Sequence, residues 1–192
     1  MTNLRKSVHP GTGQEYWVDK QGVVHGIVRT GNPNVDCKEY VERSQAEALV
    51  AAWGWPPHSK VEKVEERPDG LTHDFDCTNS ANAERVAVEI KQLTLPTSAM
   101  KAAAQKRDVE FPVSDFLRAP ADLIKKANSQ LAHAQADRRC VLLVWQYERV
   151  AEDMWDLLTK ALGCLDIRSY ENVDEVWLTT LQLRQFYRVE WE

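Results

Sequence analysis

Two side chains of opposite charge, Glu89 and Lys91, stand two residues apart in a segment with the alternation of a β-strand, residues 85–93. Alternation sends the valines and Ile90 to one side of this strand, and Glu89 and Lys91 to the other. Since the opposite side is apolar, the strand is expected to lie centrally in a sheet covered by helices. Both charged groups are then partly buried. Because burial of a charge is costly, we expect these charges to have a chemical role.

A second carboxylate, Asp74, opens the predicted strand that precedes this one. A polar turn around Asn79 connects the two strands, as a hairpin requires. Two carboxylates are typical ligands of a hard cation such as Mg²⁺ or Mn²⁺, with the Ile90 backbone carbonyl as a further oxygen. Such a cation polarises a phosphoryl oxygen and generates hydroxide, while Lys91 orients the water or stabilises charge on the phosphate. The spacing predicts phosphodiester hydrolysis with Asp74 and Glu89 as metal ligands.

These residues resemble the signature of the PD-(D/E)XK nuclease superfamily. In that signature an Asp opens one strand, and an acidic residue, any residue and Lys follow on the next, as Asp74 and Glu89-Ile90-Lys91 do here. The resemblance covers roughly residues 44–147 and implies a restriction-endonuclease-like fold. It also implies a Mg²⁺- or Mn²⁺-dependent endo- or exonuclease, in which Asp74, Glu89 and Lys91 are catalytic and DNA is favoured over RNA as the substrate.

Two further acidic residues are open alternatives. Pro68-Asp69 matches the literal spelling of the family motif, so Asp69 is the reserve for the first metal ligand, although the following Gly70 indicates a turn. Glu47 lies on a predicted helix with Ser44 as its N-cap, where the family often places a metal-binding acid. Its position three residues after Ser44 is equally that of a capping box, and this capping role is the favoured interpretation.

A predicted helix over residues 121–136 carries the remaining candidate site residues. Apolar residues recur on one face of this helix, at Ile124, Ala127, Leu131 and Ala134. Lys126 and Gln130 lie on a more polar arc, and the resemblance implies that they contact the substrate phosphate. The alternative for both residues is a solvated helix face.

The order of predicted elements indicates an α/β fold. The elements are a hairpin over 14–28, a helix from 44, the two motif strands, a loop over 95–120, the helix over 121–136, a strand over 140–145, a helix over about 151–162 and strands over 175–179 and 186–191. This order predicts a mixed central β-sheet flanked by helices on both faces, which is the restriction-endonuclease-like core order. Residues 1–43 are expected to form an N-terminal β-hairpin elaboration, and residues 44–192 a single compact nuclease-like domain.

Composition limits the choice of partner and compartment. The net charge of −5 argues against a protein that coats nucleic acid non-specifically, but residues 99–139 carry eight Lys or Arg against five acids and favour a nucleic-acid path there. The four cysteines include no C-x-x-C pair, so neither a disulfide framework nor a zinc ribbon is predicted. No stretch has the pattern of a membrane helix or signal peptide, and a cytoplasmic protein is expected.

Two other classes of function compete with a nuclease. The first is a catalytically inactive nuclease-fold module that binds nucleic acid or protein, because fold does not fix function. The second is an interaction domain, whose acidic C-terminal region and Trp residues would bind a protein partner or a second copy of the chain. A cysteine–histidine hydrolase and a phosphate-binding glycine loop lack their motifs here.

Overall fold

A computed structural model describes residues 4–94, 113–145, 159–160, 162–180, 182–183 and 185–190. Its contacts divide the chain into two compact units, Met1–Ala48 and Leu49–Glu192. Among the residues described, no helix has the length and apolar character needed to cross a membrane.

The first unit contains a three-stranded antiparallel sheet of β1 (Arg5–Val8), β2 (Glu15–Val18) and β3 (Val24–Ile27), in that order. The predicted hairpin over residues 14–28 is confirmed as β2 and β3, while β1 was not predicted. Gly26 of β3 lies against the backbone of the helix that follows, because a Cβ there would stand 3.0 Å from the Cys37 Cα. Glycine at this position allows the close packing of strand and helix.

That helix, α1, spans Pro33–Ala52, and the prediction that it begins at Ser44 is wrong. Asn32 is the cap, because its Oδ1 accepts a hydrogen bond from the Asn34 amide at 3.0 Å. Pro33 then stands at the first helical position, where a missing N–H costs no hydrogen bond. Ser44 is inside the helix and donates its hydroxyl to the Tyr40 carbonyl at 2.9 Å, so it forms no capping box with Glu47.

The second unit contains a six-stranded sheet in the order β4-β5-β6-β7-β8-β9. The strands are β4 Lys60–Lys63, β5 Phe75–Thr78, β6 Arg85–Leu93, β7 Arg138–Trp145, β8 Glu175–Thr180 and β9 Phe186–Arg188. Strand β6 pairs antiparallel with β5 and parallel with β7, so the sheet is mixed. The α/β class and the central position of β6 are therefore confirmed, and β6 has the predicted bounds.

One face of this sheet is covered by α2, Val113–Leu131, which packs on β6 and β7. The predicted apolar stripe is confirmed, since its four members are all buried in one cluster: Ile124, Ala127, Leu131 and Ala134. The predicted helix bounds are wrong, because α2 begins before Pro120 and ends at Leu131 rather than Ala136. The predicted loop over 95–120 and the predicted helix over 151–162 fall largely outside the described residues.

Candidate active site

The hairpin of β5 and β6 places Asp74 beside Glu89. Phe75 lies opposite Val88 in the antiparallel register, and Asp74 directly precedes Phe75 at the end of this ladder. The Asp74 carboxylate accepts a hydrogen bond from the amide of Ile90, the neighbour of Glu89, and its charge acts on the Glu89 carboxyl. The backbone of Asp74 is fixed on both sides, since its amide donates to the Val88 carbonyl and its carbonyl accepts from Val64, each at 3.1 Å. The predicted hairpin therefore brings the two predicted metal ligands together.

The Asp74 carboxylate lies at the end of the β5–β6 ladder. Its Oδ2 accepts a hydrogen bond from the Ile90 amide at 2.9 Å, in the place where a longer β5 would supply a carbonyl. Its Oδ1 lies 3.0 Å from Lys63 Nζ at the end of β4. Two charge-assisted contacts thus hold this carboxylate at the strand end.

Glu89 is the most unusual polar residue of the site, because its side chain is buried without being fully hydrogen-bonded. The residue is 1% exposed, and its Oε1 accepts a hydrogen bond from Lys91 Nζ. Its Oε2 is buried and has no hydrogen-bond partner among the described residues. Burial, followed by the nearby charge of Asp74, raises the pKa of Glu89 to about 7, although Lys91 and Lys63 act in the opposite direction.

Lys91 connects β6 to α2 through Gln130. Its Nζ donates to Glu89 Oε1 and to Gln130 Oε1, and Gln130 in turn donates from Nε2 to the Thr72 carbonyl at 3.3 Å. Gln130 therefore positions Lys91 in this structure, and its predicted contact with substrate phosphate stays a prediction. Lys126, one helical turn earlier, is exposed, and its predicted role is likewise untested.

The two open acidic alternatives lie in different surroundings. Asp69 is in an exposed turn, where its Oδ1 accepts from the Leu71 amide at 3.0 Å and its Oδ2 lies 3.5 Å from Arg67. Glu47 is an exposed residue of α1 in the first unit. The acid whose charge acts on Glu89 is Asp74, and the ligand role of Glu47 stays a prediction.

Lys63 is the member of the site that the sequence did not indicate. Besides its contact with Asp74, its Nζ lies 4.8 Å from the centroid of the Phe75 ring, a cation–π distance. Its strand, β4, has four residues and alternates weakly, so the sequence held little signal for it. The register sets Lys63 opposite Phe75, and this pairing brings its long side chain to Asp74.

Asp74 and Glu89 are the side chains of this site that could hold a hard divalent cation. The described residues contain no group of three or more His, Cys, Asp or Glu side chains suited to a metal. Mg²⁺, however, is usually held by one or two carboxylates and keeps several waters, so Asp74 and Glu89 suffice. The unpartnered buried oxygen of Glu89 is the position that such a cation would satisfy.

Comparison with known protein families, with curated proteins and with solved structures found no match to this chain. The nuclease resemblance therefore depends on the Asp74, Glu89 and Lys91 pattern and its geometry alone.

Proposed function

We propose that this chain is a metal-dependent nuclease that hydrolyses phosphodiester bonds of nucleic acid, with DNA favoured over RNA. We propose with it a restriction-endonuclease-like fold, with helices on both faces of the mixed sheet. One observation carries the proposal: the buried Glu89 carboxylate, near Asp74 and beside Lys91, keeps one oxygen without a hydrogen-bond partner among the described residues. Folded proteins leave few buried oxygens without a partner, and such an oxygen beside two charged groups is a candidate position for a ligand or a reaction.

In this proposal Asp74 and Glu89 hold Mg²⁺ or Mn²⁺, and the Ile90 carbonyl is an additional oxygen at the same point of β6. When bound, the cation supplies charge for a phosphoryl oxygen and lowers the pKa of bound water. The Ile90 amide keeps Asp74 in place through its 2.9 Å hydrogen bond. The burial of Glu89 excludes bulk water from this side of the site and strengthens its electrostatic interactions.

Lys91 supplies the positive charge next to the reacting phosphate. Its side chain is 11% exposed, so the ammonium is largely desolvated and interacts more strongly with an anion than a surface lysine does. Glu89 and Gln130 both accept hydrogen bonds from its Nζ, so the hydrogen bonds given for the described residues use two of its three N–H groups, and the third can donate to a water or a phosphate oxygen. Lys91 would therefore orient the attacking water or stabilise charge that develops on the phosphate.

One observation favours the alternative, an inactive module of the same fold. Each carboxylate already has a lysine partner, Lys63 for Asp74 and Lys91 for Glu89, and these pairs balance the charge of the site without a cation. Such a module would bind nucleic acid or a protein partner without cleaving it.

The experiment is a cleavage assay on labelled single- and double-stranded DNA and RNA with Mg²⁺ or Mn²⁺. Wild type is compared with Glu89→Ala and Lys91→Ala, and with the exposed controls Glu65→Ala and Lys60→Ala. We expect metal-dependent cleavage that both site variants lose and both controls keep. No cleavage of any substrate, together with no stabilisation of the wild type by Mn²⁺, would instead support the inactive module.

A further inference from the structure

We propose that Lys63 is the counter-ion of Asp74 while the cation site is empty. When a divalent cation binds, Lys63 leaves Asp74 and contacts a phosphate of the nucleic acid. This inference rests on the proposed function. It adds a residue that the motif does not contain, and it assigns that residue to two successive partners.

The position of Lys63 supports the first partner. Its Nζ lies 3.0 Å from Asp74 Oδ1, one of the two oxygens that a cation would use. Asp74 Oδ2 is already bound to the Ile90 amide, so Oδ1 is the oxygen more open to exchange. An ammonium and a metal ion at the same oxygen compete, because both are held by the same negative charge.

The charges of the site indicate which lysine would move. Above the pKa of Glu89, the two carboxylates and the two ammonium groups that contact them among the described residues balance, so a divalent cation adds positive charge that repels both lysines. Lys91 is 11% exposed and is held by Gln130 as well as Glu89. The Lys63 side chain is 28% exposed, so it is the lysine with access to solvent and to a large anionic substrate.

The chemistry of lysine suits the second partner. Its ammonium is a compact point charge on a flexible stem, and it can exchange one anion for another without a change in the backbone. The buried Phe75 ring beneath Nζ limits where the ammonium can go, which keeps it near the site. Phosphate oxygens are acceptors of the same charge as the carboxylate that Lys63 would leave.

The test compares Lys63→Met with Lys60→Met, a matched control on the exposed part of β4. Calorimetric titration of metal-free protein with Mn²⁺ measures the competition, and we expect Lys63→Met to bind Mn²⁺ roughly threefold to tenfold more tightly than wild type. Fluorescence anisotropy with a labelled forked DNA duplex in Ca²⁺ measures substrate binding without reliance on turnover. We expect about tenfold weaker DNA binding by Lys63→Met, and wild-type DNA binding by Lys63→Arg, which keeps the charge.

The outcomes separate this inference from the proposed function. Equal Mn²⁺ affinity in Lys63→Met and wild type would overturn the counter-ion role while leaving the nuclease proposal intact. Tighter Mn²⁺ binding with unchanged DNA binding would overturn the second role, contact with the phosphate. Absence of Mn²⁺ binding in both wild type and Lys63→Met would remove the proposed function and this inference together.

Discussion

Two buried carboxylates, Asp36 in the first unit and Glu89 in the second, have opposite surroundings. They are 2% and 1% exposed, so their burial is the same. Asp36 accepts hydrogen bonds from Trp17 Nε1 at 2.8 Å, from the amides of Arg29 and Thr30 at 3.2 and 2.9 Å, and from the Thr30 hydroxyl at 2.9 Å. Glu89 has Lys91 on one oxygen, and no hydrogen-bond partner among the described residues on the other.

The pKa values move in opposite directions for this reason. Burial alone raises the pKa of Asp36, but the hydrogen bonds from Trp17 and Thr30 outweigh it and hold the pKa well below its usual range. At Glu89, burial prevails and raises the pKa to about 7. This fold can thus satisfy a buried carboxylate completely with neutral donors. Because it does not do so at Glu89, we interpret Asp36 as structural and Glu89 as functional.

The largest effect is expected for Lys91→Ala in a cleavage assay. Loss of the ammonium next to the phosphate should lower kcat by about 10³-fold, the order found for removal of a preorganised charge or donor. Binding of Mn²⁺ should stay nearly intact, because Lys91 is not a ligand. The matched control is Lys125→Ala, an exposed residue of α2, which should retain activity. Loss of Mn²⁺ binding together with turnover would contradict the separate roles of Lys91 and the carboxylates.

Next in size is the destabilisation expected for Asp36→Ala. The change leaves the indole N–H of Trp17 and the donors of Arg29 and Thr30 unsatisfied, so unfolding in urea should require about 3 kcal/mol less free energy. Glu15→Ala, at an exposed position of β2, should change the stability by less than about 0.5 kcal/mol. A small effect of Asp36→Ala would show that its hydrogen bonds contribute little to stability, and would contradict the interpretation of Asp36 as structural in contrast to Glu89.

The stability that Asp36 supplies also has a defined pH range. Since its pKa is lowered on folding from a usual value of 3.8, the contribution is complete above that pH and is lost as the pH falls below it. Urea unfolding of wild type and Asp36→Asn from pH 2 to 7 measures this loss, which begins near the usual value and continues to the acid end of the scan. Parallel curves for the two proteins would contradict the lowered pKa.

A smaller effect of opposite sign is expected for Glu89→Gln. Between pH 4.5 and about 7 the unfolded chain has lost the Glu89 proton while the folded chain keeps it, so wild-type stability falls as the pH rises. At pH 8 (about one unit above the folded-state pKa) Glu89→Gln should be more stable than wild type by about 2 kcal/mol, and at pH 4 by almost nothing. Lys91 keeps Gln130 as an acceptor in this variant. Destabilisation at pH 8 would show that Glu89, like Asp36, is structural.

Sequence alone predicts the parts of this fold that have strong local signals. Strand β6 alternates and is rich in β-branched residues, so its bounds, Arg85–Leu93, were predicted correctly. The start of α1 was missed because Ser44 and Glu47 imitate a capping box, while Asn32-Pro33 is both a chain-breaking pair and the true cap. A cap motif inside a helix cannot be distinguished locally from one at its beginning.

Contacts between segments that are distant in sequence are the part of the candidate site that could not be predicted. The proximity of Asp74 and Glu89 follows from a short hairpin and was accessible to sequence reasoning. The approach of Lys63 depends on the register of β4 with β5, and that of Gln130 on how α2 packs over β6. Neither the register nor the packing is encoded by a motif, so the contact of Lys63 with Asp74 and that of Gln130 with Lys91 were missed, while the predicted contact of Gln130 with substrate stays a prediction.

The smallest effect is expected for substitution of Gln130, which distinguishes a residue that positions Lys91 from one that binds the substrate. Because it holds Lys91 and is anchored on the Thr72 carbonyl, Gln130→Ala should lower kcat by about tenfold through misplacement of Lys91, with Mn²⁺ affinity unchanged. A direct phosphate contact would instead raise KM, since it binds the ground state as well as the transition state. Gln130→Glu separates the two roles further: a carboxylate still accepts from Lys91, so kcat should recover in part, whereas like charges would weaken any contact with phosphate and raise KM further. Steady-state kinetics of both variants, beside Gln135→Ala at an exposed position beyond α2, makes this measurement.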